Sequence, residues 1–285
     1  MSTELTHTCL CCGHVLTDDE RSGLTSLCAS CQSQAPTGGG SSPVAASPPP
    51  WNLAAAIGVW VFFTLTLSIV PAFGVLVWAH KAGVNPFSPD LISNPRALIV
   101  QIGMLFVTHL LTLLVGYMVV TSGAKRPFFH TLGWRWHPRF RLRHVLALIG
   151  GLYLILYLLS LVVPHGETDF DKLLQTGQDV RIAIALVAVL TAPLVEELVY
   201  RGILYPALHH RLGRVRAILI VTAMFAVVHF PQYAGSLLIL MAVTVLSFAL
   251  TVIRSYTGQL LPCVVAHFLY NAIGSALILS GYVIS

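Results

Sequence analysis

The chain has 285 residues, 56% of them hydrophobic and only 9% charged, with a formal net charge of +5 and a mean hydropathy of +0.79. Soluble domains carry about 25% charged residues, so this composition excludes an ordinary soluble domain and predicts a membrane protein. The positive balance marks topology rather than a polyanionic partner, because most basic residues flank apolar spans, and no nucleic-acid partner is expected.

The first fifty residues are polar and lack the apolar core of a cleavable signal peptide, so the first span, near Leu53, reads as a signal anchor. The stretch "CLCCGHVLTDDERSGLTSLCASC" holds five of the six cysteines. Cys9 and Cys12 form one C-x2-C knuckle and Cys28 and Cys31 a second, at the spacing of a structural zinc site. Four thiolates so placed close a tetrahedral shell around Zn2+. The metal would then supply stability that so short a segment cannot gain from a core. Two disulfides in an oxidising compartment are the alternative. Cys11 and His14 are spare. A zinc ribbon over 1–33 is the expectation, with a cytoplasmic protein as its partner. "QAPTGGGSSPVAASPPP" follows, a Gly/Ser/Pro-rich linker over 34–51 that leads into a transmembrane domain over 52–285.

Apolar runs of about 20 residues predict seven spans, near 53–79, 97–121, 144–164, 181–205, 216–231, 235–253 and 260–284. The fold class is therefore an all-α polytopic membrane protein preceded by a small zinc ribbon. The fifth and sixth spans are short, separated only by "FPQYAGS", and suggest one tight hairpin. The loop from Ser122 to His144 holds Lys125, Arg126, Arg135, Arg139, Arg141 and Arg143 and no acid, which predicts that it lies in the cytoplasm. Alternation then puts the N-terminus in the cytoplasm and the acidic loop 165–180 and the C-terminus outside. A bacterial plasma membrane is the expected location. Within the basic loop, "LGWRWHPRFRLRH" interleaves Trp and Arg, as a helix or turn lying at the lipid interface would.

Of the 11 acidic residues, only Glu196 and Glu197 follow Asp179. They sit in "APLVEELVYR", inside an apolar run, where a charge costs at least a few kcal/mol. Glu197 and Arg201 are four apart and share a helix face. Glu196 is turned about 100° from Glu197, so the two carboxylates have different work. A structural ion pair would need one glutamate; the second is spare and suits general-base chemistry. Further polar residues lie in later spans: His229 in "FAVVHF", and His267 with Asn271 one turn on in "HFLYNA". At 1.5 Å per residue their depths converge on the cytoplasmic half of the bilayer. His109, inside the second span, has no evident partner and reads as hydrogen-bonded packing. Cys263 reads as a small buried residue.

"EELVYR" fits EExxxR, "FAVVH" fits FxxxH and "HFLYN" fits HxxxN. In this order, on successive spans, they resemble the CAAX protease and bacteriocin-processing family of intramembrane proteases, which includes the type II CAAX prenyl endopeptidases. The resemblance covers about 180–275. It implies an α-helical fold with a conical cavity open to cytosol and lipid, and an intramembrane endopeptidase acting on a membrane-associated or lipidated peptide. By resemblance, Glu196 would activate water with the help of His229, Glu197 and Arg201 would position the site, and His267 with Asn271 would stabilise the oxyanion. The family has been described both as metalloproteases and as metal-independent glutamic proteases. Two histidines and a glutamate suit Zn2+, but there is no HExxH pair, which inclines the reading toward direct activation of water by Glu196. A non-catalytic membrane scaffold or bacteriocin-immunity protein that keeps the motif is the alternative. A transporter would be supported by inverted repeats, and none is visible.

Overall fold

Seven apolar stretches become seven long helices in the computed structural model, which describes residues 16–18, 48–91, 93–138, 140–164 and 166–281. Two units divide the chain, Met1–Ala46 and Ser47–Ser285. Cys9, Cys12, Cys28 and Cys31, and with them the expected zinc ribbon and most of the linker, lie outside the described residues. We number the helices α1 (Leu53–Ala82), α2 (Pro95–Val120), α3 (Phe128–Leu132), α4 (Leu142–Ser160), α5 (Asp169–Gln175), α6 (Gln178–Leu212), α7 (Arg214–Tyr233), α8 (Leu237–Thr257) and α9 (Leu261–Leu279). All but α3 and α5 are long and apolar enough to cross a membrane, and the described residues contain no strand. The protein is an all-α integral membrane protein.

Local chemistry sets several of the boundaries. Asn52 caps α1 by accepting from Ala55 N at 2.8 Å. Asn94 caps α2 by accepting from Arg96 N and Ala97 N, with Pro95 at the first helical position, where no N–H is needed. The hairpin expected from "FPQYAGS" is two complete spans, α7 and α8, joined by three residues. The sequence reading stopped the fifth span at Pro231, but the helix runs through that proline to Tyr233, because a proline in the last turn removes only one bond of the ladder. The fourth span, expected over 181–205, is the longest of the last six, 35 residues over Gln178–Leu212. At the basic loop the five-residue α3 precedes the Trp- and Arg-rich stretch and shares only Leu132 with it; most of that stretch, among the described residues, is irregular.

α6 lies at the centre of the bundle. Residues Glu197 to Tyr205 are buried on every side of the helix, the pattern of a helix enclosed all round. Phe63 of α1, Val120 of α2, Phe225 of α7 and Leu260 pack with Tyr200 and Ile203 in one core. Close approach of α2 depends on Gly116, where a Cβ would stand 2.8 Å from Leu198 Cδ2. Trp51 Nε1 donates to Ile203 O at 2.9 Å and Trp60 Nε1 to Tyr200 OH at 3.2 Å, which ties α1 to the same segment.

Contacts between loops fix the two ends of the bundle. At the arginine-rich end, Leu260 N donates to Gly133 O, and Arg254 Nη1 donates to Leu132 O at 3.0 Å and to Gly258 O at 2.8 Å. Arg254, expected only as a basic topology residue, is buried and closes the last turn of α8. At the other end, a Cβ on Gly166 would collide with Gly235 O, and one on Gly235 with Glu167 O. The loop before α5 thus crosses the α7–α8 turn with backbone against backbone. Gly166→Ala or Gly235→Ala must push these segments apart, at a cost of about 1–3 kcal/mol. That is read as a lower melting temperature of the detergent-solubilised protein; an unchanged one would show that the loops yield freely.

Candidate active site

The two adjacent glutamates have unlike surroundings. Glu197 and Arg201 are both fully buried, and Arg201 Nη1 donates to Glu197 Oε1 at 2.8 Å. The guanidinium is held on its remaining sides by α8: Nε donates to Thr251 Oγ1 at 3.1 Å, and Nη2 to Ser247 O at 2.8 Å and to Ser247 Oγ at 2.7 Å. Ser247 and Thr251 were not anticipated, although two hydroxyls four apart in an apolar span mark one helix face. Phe225 covers the cation, its ring centroid 4.9 Å from Arg201 Cζ. A buried charge is tolerated only when paired and hydrogen-bonded, and Arg201 meets both conditions.

Glu197 has a second partner. His267, itself buried, places Nδ1 2.9 Å from the same Oε1. A carboxylate oxygen accepts, so Nδ1 carries the hydrogen, and Nε2 is the face left for chemistry. That Nε2 stands 3.7 Å from Glu196 Oε2, whose side chain keeps 14% of its surface exposed. Glu197 is therefore committed on one oxygen to an arginine and a histidine, while Glu196 is the accessible carboxylate beside the histidine. The imidazole bridges the pair.

His229 and Asn271 occupy the flanks. His229 Nδ1 faces Phe225 O at 2.9 Å, and a carbonyl can only accept, so the hydrogen lies on Nδ1 and Nε2 bears the lone pair. Its ring stacks on Phe225 at 4.5 Å, and Phe225 meets His267 edge-on at 6.1 Å. Phe225, read in the sequence only as the first letter of FxxxH, thus touches both histidines and the arginine. Phe225→Leu keeps apolar bulk but removes the ring, and a desolvated cation–π contact is worth about 2 kcal/mol. A melting temperature equal to wild type would show that Arg201 gains nothing from it. Asn271 Nδ2 donates to Ala188 O on α6 at 2.8 Å, so one of its two amide hydrogens is committed to backbone.

His109 has the partner the sequence did not reveal. Its Nδ1 lies 2.7 Å from Thr191 Oγ1. The Thr191 hydroxyl also faces Val187 O, so it donates there and accepts from His109. Among the described residues, no three His, Cys, Asp or Glu side chains converge as a metal site. Glu196 and His267 form a pair without a third ligand, which does not fit a catalytic Zn2+ that needs three, and no step below is routed through a metal.

Residues 178–273 match the model of the family described as type II CAAX prenyl endopeptidase Rce1-like. The match runs from the start of α6 into α9 and takes in all the motif residues above. This segment is thus similar to a CAAX protease family. No curated protein and no solved structure matches the chain.

Proposed function

We propose that the protein is an intramembrane endopeptidase that hydrolyses a peptide bond of a membrane-associated or lipidated peptide, with Glu196 as the base. The observation that carries this reading is the inequality of the two glutamates: one is locked to Arg201 and His267, the other is accessible and adjacent to His267 Nε2. Similarity to a CAAX prenyl endopeptidase family over 178–273 supports the reaction class, and makes a prenylated C-terminal peptide the first substrate to try.

The chemistry follows from the hydrogen-bond directions. Glu196 takes a proton from water as the water attacks the scissile carbonyl; His229, with its lone pair on Nε2, assists by accepting from the same water. As the 3.7 Å gap between them closes in the substrate complex, the proton passes from Glu196 to His267 Nε2, whose Nδ1–H is already oriented by Glu197. His267 then donates from Nε2 to the oxyanion, and finally yields the proton to the leaving amine. This is general base then general acid catalysis in one pair, with Arg201 holding Glu197 as the orienting group. The arginine-rich loop before α4 faces the cytoplasm, the C-terminus faces outside, and the four N-terminal thiolates bind a structural zinc.

The test uses the whole chain in lipid vesicles with a farnesylated peptide ending in a CAAX box, in water enriched in heavy oxygen. Wild type is expected to release the terminal tripeptide and leave one solvent oxygen in the new carboxylate, and Glu196→Gln to release none. No cleavage by correctly folded wild type would remove this substrate class, and cleavage by Glu196→Gln would remove the assignment of the base.

A further inference from the structure

α6 leaves α-helical register twice, over Val187–Thr191 and Leu198–Leu204, where it forms π turns. Each π turn ends two residues before a proline, Pro193 and Pro206. In the first, Ala192 N–H donates to Val187 O, five residues back. That leaves Ala188 O without a donor from its own helix: Ala192 is committed to Val187, and Pro193, next in π register, has no N–H. A buried carbonyl in lipid must be satisfied, and Asn271 Nδ2 of α9 satisfies it at 2.8 Å. Thr191, the last residue of the turn, has φ −117°, far from the helical value near −63°. His109 of α2 donates to its hydroxyl from the other side at 2.7 Å.

One extra residue in a turn rotates everything after it by about 100° relative to what came before. That is also the angle between Glu196 and Glu197. If the 187–191 turn relaxed to α register, every later residue would swing round by one position, Glu196 into the place of Glu197 and Val195 into the place of Glu196. Glu197 and Arg201, four apart on the same helix, would stay paired through this motion, so the register of the turn sets which residue stands on the accessible face beside His267.

We propose that His109 and Asn271 are positioning residues that clasp the π turn 187–191 from α2 and α9, and so hold the Glu196 carboxylate on the accessible face beside His267. His109 lies outside the segment similar to the CAAX protease family, and the clasp gives Asn271 a duty apart from oxyanion binding. The inference rests on the reading of Glu196 as the reacting group, but the clasp itself has a readout that needs no activity.

The variants are Thr191→Val, which keeps the shape but offers His109 no acceptor, and Asn271→Asp, which keeps the shape but cannot donate to Ala188 O when ionised. Thr191→Ser restores the acceptor. Thr112→Val is the control, since Thr112 is buried and its hydroxyl donates to Thr108 O within α2. Each whole protein, in vesicles, is treated with a hydrophobic carbodiimide, and adducts on Glu196 and Glu197 are counted by mass spectrometry. Wild type, Thr191→Ser and Thr112→Val are expected to label at Glu196 in preference to Glu197. Thr191→Val and Asn271→Asp are expected to lose that preference, and, with a cleavable substrate, to lose about 10²-fold in kcat at unchanged KM, as a misplacement of about 1 Å would cause. Wild-type labelling preference in both variants would overturn the proposal, whatever the activity. Absence of cleavage in wild type would count against the proposed function alone, since the labelling decides the clasp.

Discussion

Glu196→Gln is expected to lower turnover by about 10³-fold or more while the protein stays folded. A positioned general base contributes about 10²–10⁴-fold, and here the same carboxylate also feeds the proton that His267 carries to the leaving group, so one substitution removes two steps. The fold should tolerate the change because Glu196 is the less committed of the pair: His267 Nε2 stands 3.7 Å away, beyond direct hydrogen-bond distance, and the side chain is partly exposed. Glutamine fills the same volume and presents no unpaired charge. The check is cleavage rate beside melting temperature. A variant that loses both would mark Glu196 as structural.

The opposite pattern is expected at Arg201. Arg201→Met leaves Glu197 enclosed with no cation on its carboxylate, and breaking a buried pair on one side costs about 3–5 kcal/mol. The substitution also removes the donor from which the Ser247 and Thr251 hydroxyls now accept, although Thr251 keeps its bond to Ser247 O. Most of the loss should come from the abandoned charge, so the double variant Arg201→Met with Glu197→Gln should recover much of the stability. It should not recover activity, because a neutral amide no longer orients His267 as a carboxylate does. Melting temperatures of wild type, the two single variants and the double variant form a cycle. A double variant as unstable as the sum of the singles would show that Glu197 and Arg201 do not act as a pair.

Hydropathy made the spans legible, since each had to supply an apolar length sufficient for lipid. The glutamates and Arg201 were legible for a related reason: in a chain with no other acid after Asp179, two carboxylates in an apolar run require an explanation. What could not be read was pairing across the fold. His267 meets Glu197 across 70 residues of sequence and Asn271 meets Ala188 across 83, and spacing along a single helix says nothing about such partners. The resemblance groups His267 and Asn271 as oxyanion donors; it carries no sign that His267 Nδ1 also meets Glu197 and that one Asn271 amide hydrogen goes to Ala188 O. His109 read as packing because its acceptor, Thr191, lies on another helix. The π turns do have a sequence signal: Pro193 and Pro206 stand inside α6, where a proline must cost an N–H and the backbone must answer for it.

The central claim is that a peptide bond is hydrolysed in the membrane by a base at position 196. The most direct measurement compares new peptide termini in membrane and culture fractions of cells expressing wild type or Glu196→Gln at equal levels. A small set of termini present with wild type and missing with the variant is expected, on membrane-associated or lipidated polypeptides. Identical termini from both, with both proteins folded and inserted, would contradict it and leave the buried charges as structure alone.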